Sequence, residues 1–263
     1  MLRALYTSAT GMKAQELLID NTANNLANVN TTGFRRSRLD FADLIYNTTR
    51  QPGTAISQQL VSPTGLQIGN GVRAVATTKH FNQGTLEQTG NPLDVAIEGD
   101  GFLQVQAEGG TPKYTRAGNL KLNDQRQLVN ADGFPLDPAI TVPQGIDISK
   151  ITIGTDGTIS GTTADGSSAS FGPIQIFTFP NPAGLSSEGA NLFAATAASG
   201  VAVPGTGGLN GFGLLRQNFI ENSNVEVVTE LISLISAQRA YEINSRAIRA
   251  GDEMLSTSAN IVR

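Results

Sequence analysis

His80 is the one histidine in this chain of 263 residues, so any Ser-His-Asp triad would have to be built on it. No nucleophile-elbow sequence lies nearby, and His80 reads as a structural or surface residue. Asp94, Glu98 and Asp100 are three carboxylates close in sequence, a pattern open to acid–base work or calcium. Their setting among apolar neighbours reads them instead as outward strand residues and a turn aspartate. The run Gly205-Thr206-Gly207-Gly208-Leu209-Asn210-Gly211 is glycine-rich like a dinucleotide loop. It lacks the final glycine spacing, and no βαβ unit surrounds it. Arg35, Arg36 and Arg38 form a small basic cluster beside Phe34, which points to a solvated or interface role. The net charge of −4 and a charged fraction of 15% give no wider basic field for nucleic acid. Cysteine is absent, which excludes disulfides, a thiolate nucleophile and Cys-based metal sites. The expectation is therefore a chain that is not an enzyme, with no catalytic residue, cofactor or metal site.

What the ends carry is periodicity. Leu5, Met12, Ile19 and Leu26 recur every seven residues at the front. Val227, Leu234, Tyr241, Ile248, Leu255 and Val262 do the same at the back. A seven-residue apolar repeat is the mark of helices that pack along other helices. All 11 prolines lie between residues 51 and 205, and the terminal stretches hold only Gly11 and Gly251. Helix interiors exclude both residue types, so both ends are expected to be long helices. At the back, Ser223 and Glu226 have capping-box spacing just before the apolar run, and a helix over 224–260 would be about 55 Å long. That is more than a compact domain of this size would bury alone. A second row, Ile243, Ala247, Ala250, Met254 and Ile261, widens the stripe. The ten heptad residues are the candidate subunit-packing positions.

The front helix is weaker. Asn21, Asn24, Asn25, Asn28 and Asn30 crowd its end, asparagine is a poor helix former, and Gly33 supplies a stop. Two readings stand open: surface amides on a helix stabilised by its own domain, or a segment ordered only when neighbouring subunits supply its partners. The first residues do not form a secretory leader, since Lys13 and Glu16 interrupt the apolar run, and no stretch approaches the roughly 20 apolar residues of a membrane span.

The middle reads as antiparallel β-structure. Leu93, Val95 and Ile97 alternate with polar or small residues, and Ile151 with Ile153, Ile174 with Ile176 and Phe177 with Phe179 keep the period of two. Asp-Gly pairs at 100–101, 132–133, 156–157 and 165–166 are hairpin signals. The expected organisation is a helix over 1–31, a linking region over 32–79, a β-rich domain over 80–204, a Gly-rich return over 205–221 and a helix over 222–263.

The stretch Ala23-Asn24-Asn25-Leu26-Ala27-Asn28-Val29-Asn30-Thr31-Thr32-Gly33-Phe34-Arg35-Arg36 resembles the N-terminal signature of the bacterial flagellar rod and hook family. Ser223-Asn224-Val225, Leu231-Ile232 and Gln238-Arg239-Ala240-Tyr241-Glu242-Ile243-Asn244 are similar to its C-terminal signature, and residues 89–102 and 114–119 to its central motifs. The family positions are thus Asn24, Asn25, Leu26, Asn28, Gly33, Phe34, Gln238, Arg239, Tyr241 and Asn244. Residues 46–72, with Arg50, Pro52, Gly53, Gly65, Leu66 and Gly69, resemble an extra segment of the family's distal-rod branch. Asn218 stands where the family often has Gly, a position where Asn tolerates a left-handed backbone, and Asn21-Thr22 is more polar than usual.

The resemblance implies an α+β fold, with terminal helices forming a coiled-coil-like inner domain and an antiparallel β-rich outer domain. It implies a self-assembling helical homopolymer, straight and rigid, that encloses an export channel and transmits torque. The implied partners are further copies of the chain, proximal rod subunits, hook protein, the surrounding P and L ring proteins and the flagellar type III export apparatus, with no nucleic acid and no membrane insertion. The implied location is the basal body across the periplasm, reached without a cleaved leader.

Overall fold

The computed structural model describes residues 2–53, 55–57, 60–61, 63–163 and 167–261. The fold is mixed α+β, with a helix at each end and a β-rich middle. Two compact units arise, both discontinuous in sequence: Met1–Leu26, Ser37–Thr78 and Glu226–Arg263 form one, and Ala27–Arg36 with Lys79–Val225 the other.

In the first unit, helix α1 (Leu2–Ala27) and helix α2 (Val227–Ile261) pack on each other. Three contacts fix them as antiparallel in constant register. A Cβ on Gly251 would come within 2.7 Å of Leu5, a Cβ on Gly11 within 3.0 Å of Asn244, and Asn25 Nδ2 donates to Glu230 Oε2 at 3.3 Å. The two glycines of the terminal segments therefore sit where a side chain of the other helix packs onto their backbone. Residues 37–79 form nested strand pairs, Ser37–Asp43 with Val72–Lys79, Asn47–Arg50 with Leu66–Ile68, and Ala55–Ser57 with Leu60–Val61. The β-structure thus starts well before residue 80, inside what the sequence presents as a linker.

Both helices span their heptad columns as far as the residues are described, but α1 ends before residue 31 and α2 begins after residue 222. α1 stops at Ala27, where Asn28 accepts from the Thr31 amide and hydroxyl and Gly33 turns the chain with φ +72°. α2 starts at Val227 because the Ser223 hydroxyl accepts from the Val225 amide (3.3 Å), so no capping box forms. The crowded asparagines have partners within the chain. Asn25 is buried, its amide donates to the Ser37 carbonyl (2.8 Å) and its carbonyl accepts from the Ser37 amide (3.0 Å). Asn21 adds a second bond to the same carbonyl and accepts from the Ser37 hydroxyl. These side chains imitate a strand partner for the first residue after the turn.

The second unit holds a six-stranded sheet in the order Ser186–Gly189, Leu192–Ala194, Pro112–Thr115, Phe102–Gln106, Ile176–Thr178, Val203–Gly205. Its period of two sorts residues onto two cores. Leu103, Val105 and Ile176 join an aliphatic cluster with Val95, Ile97, Ile159 and Leu215. Phe102, Tyr114, Phe177, Phe179 and Phe193 form an aromatic cluster, with Tyr114 and Phe179 edge-to-face at 4.8 Å. The strand Val95–Glu98 is buried at Val95, Ala96 and Ile97 alike, so both its faces are covered.

Asp156-Gly157 lies in the turn between paired strands and Asp132-Gly133 in a tight turn closed by the Gly133 amide on Asn130. Asp100-Gly101 does not make a hairpin: Val95–Glu98 pairs with Leu214–Gln217, and Phe102–Gln106 with Pro112–Thr115 and Ile176–Thr178. Asp165-Gly166 lies outside the described residues. The Gly-rich return also carries strands, since Leu214–Gln217 and Phe219–Glu221 pair with Val95–Glu98 and Leu86–Gln88. Asn218, between them, has φ +63°.

Candidate functional site

The residues with chemical potential are dispersed and engaged in structure. His80 donates its main-chain N–H to Arg36 and accepts from Asn224 at its carbonyl. Asp94 is buried and does not face outward: Thr89 Oγ1 and Asn91 Nδ2 donate to its carboxylate at 2.7 and 2.8 Å. Glu98 pairs with Arg216, and Asp100 lies exposed in its turn. Residues 205–213 close on themselves through the Gly208 amide to the Gly213 carbonyl, with positive φ at Gly208, Asn210 and Gly211. Among the described residues no group of His, Cys, Asp and Glu is placed to hold a metal.

The basic cluster separates. Arg38 is exposed and pairs with Asp40 at 3.1 Å. Arg35 has neither the solvated nor the interface role, because it is fully buried with its Nη2 2.6 Å from Glu221 Oε1. Arg116 reaches the other oxygen of Glu221 through Nε at 2.9 Å. Burial, and then repulsion from Arg116, lowers the Arg35 pKa, while Glu221 acts in the opposite direction. The Arg35 guanidinium stays charged. Lys79 lies with its ammonium 5.0 Å from the centre of the Phe34 ring, and burial lowers its pKa too. Sequence reading could not find Glu221, which is 186 positions from Arg35.

The ends carry a surface of a different kind. Leu5, Met12, Ile19 and Leu26 are all half-buried along α1; on α2, Leu234, Ile248 and Leu255 are half-buried, Val227 and Tyr241 exposed, and Val262 lies outside the described residues. The row of α2 nearest α1 is the adjacent heptad column, Glu230, Ala237, Asn244 and Gly251, made of small and polar residues. Its members admit close backbone approach, and Glu230 sits in the first turn, where the helix dipole favours negative charge. The opposite face is not polar. Val228, Ile232, Ile235, Ile243 and Met254 are exposed at 47–65% and fall on one side of α2 by their i+4, i+7 spacing. A soluble monomeric helix would carry mostly charge there; this stripe holds Arg239, Arg246 and Glu253 among its apolar members. Leu231 and Tyr241 flank it, exposed at about 40%.

The remaining family positions divide likewise. Asn25, Gly33 and Phe34 are buried, Leu26, Asn28 and Asn244 are half-buried, and Asn24, Gln238, Arg239 and Tyr241 are exposed. A second bare apolar surface belongs to the nested strands of the same unit, where Phe41, Ile45, Tyr46, Leu66, Ile68 and Val75 are exposed. There Arg50 pairs with Leu66, Pro52 and Gly53 are exposed, and a Cβ on Gly65 would come within 2.7 Å of the Arg50 carbonyl. Gly69 packs on the Tyr46 ring. Among the described residues no helix is long and apolar enough to cross a membrane.

Comparison with known proteins matches these parts separately and the chain as a whole. The family models described as "Flagella basal body rod protein", "Flagellar hook protein FlgE/F/G D1 domain" and "Flagellar basal body rod FlgEFG protein C-terminal" match residues 5–35, 96–161 and 216–261. The flagellar basal-body rod protein FlgG of Borreliella burgdorferi is 45% identical over 265 residues, covering 100% of both chains. That of Caulobacter vibrioides is 43% identical over 263 residues, covering 99% of each. The flagellar hook-basal body complex protein FlhP of Bacillus subtilis is 30% identical, covering 97% of each.

The two faces of α2 make opposite predictions for a charge. In the monomer, Ala237→Asp, on the row that α1 covers, is expected to cost about 2 kcal/mol or more, because it desolvates a carboxylate between helices, and Ile243→Asp less than about 0.5 kcal/mol. Urea unfolding followed by helix ellipticity measures both.

Proposed function

Since this chain belongs to the flagellar basal-body rod family and is a structural subunit of that rod, we propose that it builds the distal part as a straight, rigid, self-assembled helical tube. The observation that carries the reading is the bare apolar stripe of α2. Each of its five side chains is about half exposed, so covering one contributes on the order of 1 kcal/mol. Their sum is comparable to the lower estimates of what association costs in lost freedom, roughly 4–15 kcal/mol. A single pairwise contact through this stripe is therefore marginal, and stable association needs several neighbours per subunit. Unlike surfaces joined head to tail supply that number in an open helical array.

In this reading α1 and α2 form the inner wall around the export channel. The heptad columns and the α2 stripe meet neighbouring copies. Torque passes through many shared contacts, with no single bond decisive. Residues 46–72 lock neighbouring subunits and keep the tube straight, and their likeness to the distal-rod segment favours this position over a hook or proximal-rod one. The proposed neighbours are proximal rod subunits, hook protein and the P and L ring proteins. Delivery runs unfolded through the flagellar type III export apparatus, without a cleaved leader, to a site spanning the periplasm.

Ile243→Asp is expected to abolish polymers, seen by sedimentation and electron microscopy, while the β-rich unit keeps its near-ultraviolet circular dichroism. Polymers formed normally by this variant would reject the stripe as the contact. Deleting residues 46–72 is expected to leave assembly intact but yield curved or flexible tubes. Unchanged straightness and bending stiffness would reject the locking role.

A further inference from the structure

Glu221 is the last residue of the strand Phe219–Glu221, near the end of the β-rich unit, and one residue gathers four bonds from three distant segments. Its Oε1 accepts from Arg35 Nη2 (2.6 Å) and from the Gly84 amide (2.9 Å). Its Oε2 accepts from Arg116 Nε (2.9 Å), and its main-chain oxygen accepts from the Gly33 amide (2.8 Å). The side chains of Arg35 and Glu221 are wholly buried and that of Arg116 is 4% exposed. No other carboxylate pairs with either guanidinium among the described residues.

The two arginines depend on Glu221 unequally. Arg116 also donates to the carbonyls of Gly99, Gly101 and Ile97, at 2.8, 2.7 and 3.3 Å. Arg35 has no such support, and its Nε and Nη1 are buried without a partner. Glu221 is therefore the one group that compensates the buried charge of Arg35. The residues after it continue the same seam: Asn222 donates its N–H to the Thr85 carbonyl, and Asn224 accepts from the Arg36 amide while donating to the carbonyls of His80 and Asn82.

We infer that Glu221 is the closing latch of the β-rich unit: residues 27–36 dock and the unit closes only once the strand Phe219–Glu221 is in place. Without its carboxylate, docking residues 27–36 buries Arg35 as an uncompensated cation, which is among the most destabilising changes a protein interior can undergo. The unit is built from both sides of the chain, 27–36 and 79–225, so its closure waits for nearly the whole polypeptide. A chain delivered from its N-terminus stays open until its final fifth arrives. The latch belongs to a single molecule in solution and is independent of the assembly reading.

Hydrogen exchange on the full-length chain tests it. Glu221→Gln keeps the shape of the side chain and removes its charge. It is expected to speed exchange about a hundredfold or more at the Gly33 amide and across Val95–Glu98, Phe102–Gln106 and Leu214–Gln217 together. Adding Arg35→Met to that variant removes the cation that is left bare and is expected to recover at least tenfold of the lost protection. Parental protection in Glu221→Gln, acceleration confined to the Gly84 amide, or no recovery in the double variant would each overturn the latch. If Glu221→Gln alone yields no folded protein, the double variant still decides: recovery supports the latch and its absence ends it.

Discussion

The structure turns on one constraint: a 35-residue helix with an apolar outer face finds one partner helix among the described residues, and that partner covers the other face. α1 covers the row of Glu230, Ala237, Asn244 and Gly251 and leaves Val228, Ile232, Ile235, Ile243 and Met254 to solvent. The covered row is small and polar, which lets the helices approach closely and fixes their register through Asn25 and Glu230. The apolar mass of α2 is thus spent outward. In a monomer that is a liability; in the proposed polymer it serves as the contact surface. The half-buried heptad columns lie between these extremes.

Polar groups do the locating. Asn21 and Asn25 hold the Ser37 backbone as a neighbouring strand would, which ends α1 and starts the strand Ser37–Asp43. Glu221 does the equivalent in the β-rich unit, where it ties together residues 33, 35, 84 and 116. Unmaking either arrangement leaves buried donors or charges without partners, which costs more than the bonds contribute when formed. Such groups specify one arrangement among many compact ones.

The helices were legible in the sequence because a period of seven and the absence of Pro and Gly are local signals. The β-rich character of the middle was legible for the same reason. What escaped were non-local choices. Nothing around Arg35 announces a carboxylate 186 positions away, so a buried ion pair looked like a surface cluster. The strands of residues 37–79 bury few of their own side chains, and their pairing depends on each other and on α1 more than on an internal pattern. Asp100-Gly101 carries a hairpin signal, but the neighbouring strands find better partners in Leu214–Gln217 and Pro112–Thr115. The seven-residue columns marked the helices correctly, yet size alone did not reveal which side meets α1, since Gly251 and Ala237 matter there more than the large residues beside them.

The central claim is that the ends of the polypeptide complete their burial against other copies. The absence of native cysteine makes a direct measurement possible, because single cysteines placed at Ile232 and Ile243 would be the only thiols in the chain. Their alkylation should be fast in the monomer and at least a hundredfold slower in the assembled polymer. Equal rates in the two states would mean that the stripe stays bare after assembly, and would contradict the account.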